Sequence, residues 1–113
     1  MKIQRITYLS LGSNQGEKLE NLQKAIHLIA SEVGAIQKIA AIYKTPSWGF
    51  EGDEFLNTCI KVSTYQAPEK LLQTLLAIEK KLGRTRKGQN EYQNRPIDID
   101  VLLFDDEIIF SRT

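Results

Sequence analysis

Two aspartates near the end of the chain have the type and spacing of a metal-binding pair. Asp98 and Asp100 alternate with apolar residues in the stretch 95–104, which turns fully apolar from Val101 onward. Alternate side chains of a strand share a face, so the two carboxylates would lie about 7 Å apart. Such carboxylates repel each other and suit Mg²⁺, which takes one or two of them together with substrate phosphates. By spacing alone, a solvated edge strand with two surface acids is slightly favoured.

A basic, polar segment leads into this pair. Residues 84–95 contain Arg84, Arg86 and Arg95. One interpretation is a set of surface salt bridges, each of which contributes little to stability. The other is a polyphosphate–Mg²⁺ site, because arginine binds phosphate in a bidentate manner. The length of the segment favours the second interpretation, since a purely structural connection is usually shorter.

A second candidate site combines an aromatic ring with a carboxamide. Phe55 and Asn57 share a face of a predicted strand, where the ring can stack on a heterocycle and the amide can bond its edge. Without other evidence, a core phenylalanine beside a surface asparagine is the favoured interpretation. The preceding loop contains Trp48 and Phe50, which would form either a small apolar cluster or a lid over a flat ligand.

The elements that would position these residues follow from hydrophobic periodicity. Strands are predicted over 5–12, 35–45, 54–64 and the acidic stretch, and helices over 17–33 and 68–82. This order indicates an α+β, ferredoxin-like βαββαβ fold, with an antiparallel sheet and both helices on one face. The other face would be left open for Phe55, Asn57, Asp98 and Asp100.

Three single residues have simpler interpretations. Glu79 lies within the apolar stripe of the second helix, so its carboxylate needs a partner. His27 falls off the stripe of the first helix and is the only histidine, which indicates a surface position. Cys59 is the only cysteine, fits a reducing compartment, and is expected to fill space in or near the core.

Composition narrows the class of protein. The 113 residues fit a single domain over 1–113, with 42% hydrophobic and 26% charged residues and a net charge of +1. This charge argues against a nucleic-acid partner. The absence of a long apolar run and of a signal sequence argues against a membrane protein and for a cytoplasmic one.

Several motifs taken together resemble the 6-hydroxymethyl-7,8-dihydropterin pyrophosphokinases of folate biosynthesis. The order and spacing of all of them agree with the family, and the last is the most specific. They are Gly12-Ser13-Asn14, Tyr43-Lys44-Thr45-Pro46, Phe55-Leu56-Asn57, Leu82-Gly83-Arg84-Thr85-Arg86 and Arg95-Pro96-Ile97-Asp98-Ile99-Asp100.

The resemblance implies a transferase, a kinase that moves diphosphate from ATP to the pterin and releases AMP, acting as a monomer on small molecules. It implies that Asp98 and Asp100 hold two Mg²⁺ ions and that Arg84 and Arg95 are catalytic. The implied pterin-binding residues are Thr45, Pro46, Trp48, Phe55 and Asn57. The implied ATP-binding residues are Glu79, which would pair with the basic cluster, together with Arg84, Arg86, Tyr92, Arg95 and Val101.

The sequence departs from the family pattern at three places. Phe55 stands where the family usually has Tyr, and Tyr92-Gln93-Asn94-Arg95 stands in place of an aromatic-Gly-Pro-Arg segment in a loop one residue longer. The family pattern also continues beyond Thr113, so the resemblance implies a C-terminally incomplete or reduced member. The alternatives are a non-enzymatic ferredoxin-like module that binds a small molecule or RNA, an inactive fragment, or a metal-dependent nuclease.

Overall fold

The described part of the chain forms one sheet of six strands with two helices. A computed structural model describes residues 3–46, 54–83, 96–105 and 107–112, the last range by its backbone. The elements in chain order are β1 (Arg5–Ser13), α1 (Lys18–Glu32), β2 (Gly34–Ile39), β3 (Tyr43–Thr45), β4 (Phe55–Thr64), α2 (Pro68–Lys81), β5 (Asp98–Phe104) and β6 (Glu107–Arg112).

All strand pairs are antiparallel, and β1 lies at the centre of the sheet. The strand order is β2-β4-β1-β5-β6, and β3 pairs with β4 beyond the end of β2. The predicted α+β, ferredoxin-like arrangement is confirmed. Among the described helices, none combines the length and the apolar character needed to cross a membrane.

The hydrophobic core lies between the helices and one face of the sheet. Alternate residues of the strands point into it, as period-two patterning requires. The strand residues of the core include Leu9, Leu11, Ile60, Val62, Ile97, Ile99 and Val101. The helices add Leu22, Ala25 and Ile29 from α1 and Leu71, Leu75 and Ile78 from α2, spaced three or four residues apart.

The junction between α1 and β2 is tightly packed against β4. A Cβ placed on Gly34 would lie 1.9 Å from the carbonyl oxygen of Ser63, so only glycine fits there. Thr64 Oγ1 donates a buried hydrogen bond of 2.8 Å to the Val33 carbonyl, and Gln66 Nε2 donates one of 2.8 Å to the Glu32 carbonyl. The last carbonyls of α1 therefore have partners, as buried helix ends need.

The predicted strand over 35–45 is two strands. The pairing of β2 with β4 contains a bulge between Ile36 and Lys38, and ladder pairing stops after Ile39. Ala40 remains attached to β4, because its N–H donates to the Cys59 carbonyl and its carbonyl accepts from Thr58 Oγ1. The strand then resumes at Tyr43.

A final strand, β6, was missed by the sequence analysis. It follows a turn at Asp105, whose φ of 53° lies in the left-handed region that aspartate tolerates better than most residues. The start of β1 holds this turn: the Asp105 N–H donates to the Ile6 carbonyl, and Asp105 Oδ1 accepts from the Ile6 N–H.

Candidate active site on the open face of the sheet

The face of the sheet opposite to the helices carries the candidate site. The register of β4, β1 and β5 aligns their residues in rows, and directly paired residues project to the same face. The first row is Asn57, Gly12 and Asp98, and the second row is Cys59, Ser10 and Asp100. Phe55 lies on the same face of β4, two residues before Asn57. The prediction that the open face carries Phe55, Asn57, Asp98 and Asp100 is confirmed by this register.

The Asn57 side chain is held by the neighbouring short strand. Its Nδ2 donates a hydrogen bond of 2.8 Å to Thr45 Oγ1 and lies 3.5 Å from the Tyr43 carbonyl oxygen. The carbonyl oxygen of Phe55 is 3.4 Å away. Asn57 is thus ordered by β3 before any ligand is present.

Gly12 makes the first row compact. A Cβ at this position would lie 2.8 Å from Asn57 Oδ1 and 3.3 Å from Cδ1 of the Phe55 ring. The central strand therefore contributes no side chain between the amide on β4 and the carboxylate on β5. Since neighbouring strands are about 4.8 Å apart, a ligand crossing this gap would span about 10 Å.

Asp98 and Asp100 face this gap from β5. Both are half-buried and lie opposite Gly12 and Ser10 of β1. Within the described ranges, no three His, Cys, Asp or Glu side chains converge on one point. Two carboxylates suit Mg²⁺, whose other ligands can be water and phosphate oxygens.

Glu79 lies on the opposite side of β5, inside the protein. Its side chain is 1% exposed, and Oε2 accepts a hydrogen bond of 2.8 Å from the N–H of Ile99, the residue between the two aspartates. The sequence-based expectation that this buried acid needs a partner is confirmed. The expected pairing of Glu79 with the basic cluster falls on residues outside the described ranges, so its assignment to ATP stays a prediction.

Val101, which the family resemblance assigns to ATP binding, has a buried side chain. The residue as a whole is 2% exposed, and its side chain packs in the core beneath the sheet. The side chain is therefore not available to adenine in this arrangement. The assignment to ATP stays a prediction, but not one that involves the side chain.

Cys59 is half-buried on the open face of the sheet, so the expected position in or near the core holds only in its second form. The thiol lies beside the Tyr43 phenol. Burial raises the pKa of Tyr43 above its ordinary value, and charge repulsion from Cys59 and a hydrogen bond with it raise it further. Tyr43 and Cys59 thus form one side of the candidate site that the sequence did not suggest.

The remaining predicted residues are divided between the surface and the undescribed segments. Pro46 is exposed at the end of β3. The residues that lie outside the described ranges are Trp48, Arg84, Arg86, Tyr92 and Arg95. Pro96, which follows Arg95, lies against Gly83: its Cγ is 3.8 Å from the position of a Cβ on Gly83. The two described ends of the basic segment are therefore neighbours.

Besides the proximity of Tyr43 and Cys59, two further features of the site were not predicted from the sequence. One is the close approach of Asn57 and Phe55 to Gly12, and the other is the bond from Asn57 to the Thr45 hydroxyl. The close approach to Gly12 could have been inferred from the glycine near the end of β1, a strand rich in β-branched and aromatic residues. A glycine in such a strand often marks a place where another group comes close to the backbone. The second depends on the register of β3, which the sequence does not specify.

Comparison with known proteins identifies the family. A family model for 7,8-dihydro-6-hydroxymethylpterin-pyrophosphokinase (HPPK) matches residues 8–111. The 2-amino-4-hydroxy-6-hydroxymethyldihydropteridine pyrophosphokinase of Porphyromonas gingivalis is 41% identical over 100 residues, covering 87% of this chain and 68% of the relative. The same enzyme of Aquifex aeolicus is 41% identical over 106 residues, covering 93% and 64%. The chain belongs to the HPPK family and spans about two thirds of the length of these relatives.

The fold is also that of a solved HPPK structure. A crystal structure of HPPK-DHPS in complex with substrates superposes with a TM-score of 0.73 at 19% identity, covering 96% of this chain and 29% of the other. At this level of identity the match supports the fold. The family resemblance predicted from the motifs is confirmed by the sequence matches.

Proposed function

We propose that the chain transfers the terminal diphosphate of ATP to the hydroxymethyl group of 6-hydroxymethyl-7,8-dihydropterin and releases AMP, in folate biosynthesis. The observation that carries the proposal is the first row of the open face. It sets an ordered amide beside an aromatic ring on β4 and a carboxylate on β5, with a glycine between them. Membership of the HPPK family supports the identity of the substrates.

The β4 side of the row suits the pterin. The Phe55 ring offers a stacking surface, and the Asn57 carboxamide offers a polar contact for the edge of the heterocycle. Because Asn57 is already held by Thr45, little side-chain entropy is lost when the ligand binds. The gap over Gly12 would leave the hydroxymethyl group pointing toward β5.

The β5 side suits the phosphates. Asp98 and Asp100 would hold two Mg²⁺ ions, which supply positive charge to the phosphate oxygens when bound. Glu79 holds the backbone between the two aspartates through the Ile99 N–H, which keeps both residues on the same face of β5. Arg84, Arg86 and Arg95 would bind the triphosphate and stabilise the charge that develops on it.

Catalysis in this proposal is mostly positioning. The protein is asked to bring the hydroxyl of one ligand in line with a phosphorus of the other and to keep water out, which lowers the barrier without a covalent enzyme intermediate. The chain would act as a monomer on small molecules in the cytoplasm. Tyr92 would close over the nucleotide, and the segment 45–48 would contact the pterin edge.

The direct test is an assay of the products. The chain is incubated with ATP, Mg²⁺ and 6-hydroxymethyl-7,8-dihydropterin, and nucleotides and pterins are separated by chromatography. We expect AMP and pterin diphosphate in equal amounts, and neither when EDTA replaces Mg²⁺ or when the pterin is left out. Formation of ADP, or AMP production without pterin, would contradict the proposal.

A binding experiment separates the two halves of the site. Calorimetric titration with a non-hydrolysable ATP analogue, with and without Mg²⁺, is followed by titration with pterin. We expect nucleotide binding to require Mg²⁺ and to strengthen pterin binding. Nucleotide affinity that is indifferent to Mg²⁺ would refute the assignment of the two aspartates.

A further inference from the structure

The carboxamide of Asn57 has a defined orientation in the absence of ligand. We propose that the Thr45 hydroxyl is a positioning group that turns the Asn57 oxygen toward the ligand, so that Asn57 accepts hydrogen bonds from N–H groups of the heterocycle and donates none to it. The inference rests on the proposed function for the identity of the ligand. Thr45 thereby acts on the ligand through Asn57, by means of the hydrogen bond that its hydroxyl accepts.

Three oxygen atoms surround the amide nitrogen of Asn57. Thr45 Oγ1 is 2.8 Å away, and the carbonyl oxygens of Phe55 and Tyr43 are at 3.4 and 3.5 Å. The hydroxyl could accept or donate, but the two backbone carbonyls can only accept. If the amide were turned over, its oxygen would face both carbonyls. The surroundings therefore determine which end of the amide points inward.

The oxygen of Asn57 points across the sheet. Asn57 Oδ1 would lie 2.8 Å from a Cβ on Gly12, which places it over the central strand where no side chain fills the space. A hydrogen-bond acceptor facing this gap selects ligands that present N–H groups there. A heterocycle with an amino or lactam N–H on that edge can donate a hydrogen bond to Asn57 Oδ1. An edge that carries only acceptors would instead place an acceptor against this oxygen and leave both without a donor.

The contributions of the Thr45 hydroxyl and of its methyl group can be separated by substitution. Thr45→Val keeps the branched shape that suits β3 but removes the hydroxyl, and Thr45→Ser keeps the hydroxyl and removes the methyl group. Thr45 is half-buried on a three-residue strand, so neither change creates a core cavity. The pair of variants therefore serves as a matched test.

The first measurement is the affinity of the chain for 6-hydroxymethylpterin in the presence of Mg²⁺ and α,β-methylene-ATP. We expect Thr45→Val to weaken pterin binding about five- to tenfold, the range for one net hydrogen bond, and Thr45→Ser to bind within about twofold of the original chain. Nucleotide affinity should be the same in all three. Equal losses in both variants, or no loss in Thr45→Val, would overturn the inference.

The second measurement needs no ligand. In the NMR spectrum of the free chain, the Asn57 side-chain amide protons should show stronger nuclear Overhauser effects to the Thr45 methyl group than to the Gly12 Hα protons. In Thr45→Val the two amide resonances should shift, and in Thr45→Ser they should stay. Stronger effects to Gly12 Hα than to the Thr45 methyl group would refute the orientation. If the original chain failed to bind pterin, the proposed function would fail, and this spectrum would still decide the inference.

Discussion

Two glycines of the same sheet should respond to alanine in opposite ways. Gly12 and Gly34 both lie in strands and both leave no room for a Cβ, but different atoms stand in the way. At Gly12 the nearest atom is the side-chain oxygen Asn57 Oδ1, at 2.8 Å. At Gly34 it is the backbone oxygen of Ser63, at 1.9 Å. A side chain can rotate away, whereas a paired strand cannot.

For Gly12→Ala we expect stability to change by no more than about 1 kcal/mol. Displacing the Asn57 amide loses one hydrogen bond, about 1 kcal/mol, and the lower entropy of alanine in the unfolded chain returns about 0.5–1 kcal/mol. Pterin affinity should suffer more, because the acceptor is turned and the Phe55 ring, 3.3 Å from the new Cβ, is crowded. A loss of about 2 kcal/mol corresponds to about 30-fold in affinity.

For Gly34→Ala we expect the reverse. The new Cβ would have to push β2 away from β4 and would weaken the bond from Thr64 to the Val33 carbonyl. Overpacking costs about 1–3 kcal/mol and the lost bond about 1 kcal/mol, so stability should fall by about 3 kcal/mol. Ligand affinity of the folded protein should be unchanged, since Gly34 pairs with Thr64, about 23 Å along β4 from Asn57.

The assays are urea unfolding followed by circular dichroism and calorimetric titration with 6-hydroxymethylpterin. The reasoning would be refuted if Gly12→Ala lost as much stability as Gly34→Ala, or if it bound pterin normally. A loss of pterin affinity in folded Gly34→Ala would equally contradict it. The unfolding slope should be the same in both variants, which confirms that each folds to the same compact state.

Three further predictions concern single groups of the open face. Asp100→Asn should abolish the Mg²⁺ dependence of nucleotide binding, whereas Asp105→Asn, a carboxylate of the β5–β6 turn, should leave it intact; calorimetry with and without Mg²⁺ shows which carboxylate matters, and equal effects would contradict the site. Phe55→Ala should weaken pterin binding by about 1–3 kcal/mol while Phe55→Tyr preserves it, and a normal affinity in the alanine variant would exclude stacking. Cys59→Ala should lower the raised pKa of Tyr43 only partway to its ordinary value, because burial is the larger cause. The Tyr43 ring carbons report this pKa by NMR, and an unchanged value would show that the thiol has no influence.

The same raised pKa has a defined effect on stability. The folded state holds the Tyr43 proton more tightly than the unfolded state, so both states are protonated below about pH 10 and the group causes no pH dependence there. As the pH rises above about 10, the unfolded state loses this proton first. The free energy of unfolding should therefore fall in that range, and less steeply in Cys59→Ala.

The sequence was sufficient for the main elements because their patterns are strong. The apolar spacing of α1 and α2 and the alternation along β1, β4 and β5 gave the fold class, and alternation alone placed both aspartates on the open face. The interruption of the strand over 35–45 was missed, since Ala40 is held by partners on β4 that no local pattern encodes. β6 was missed because the Asp-Asp turn signal before it is weak.

The details of the site were harder to predict for a physical reason. Individual contacts depend on register, and register is a property of two strands together. Asn57 meets the Thr45 hydroxyl because Thr45 pairs with Phe55, and Cys59 meets Tyr43 because Tyr43 pairs with Asn57. The family motifs identified the candidate site residues. The orientation of the Asn57 amide and the proximity of the Cys59 thiol to Tyr43 became clear only from the three-dimensional structure.

The proximity of Gly83 and Pro96 has a consequence for how this protein can change over evolutionary time. Residues 84–95 join two points that lie close together, so the sheet and the helices do not dictate how many residues connect them. Closing a loop of twice the length costs only about 0.6 kcal/mol more. The arginine-bearing segment can therefore gain or lose residues while β5 and its aspartates keep their positions. Selection for substrate binding can act on this segment with little change in the free energy of unfolding.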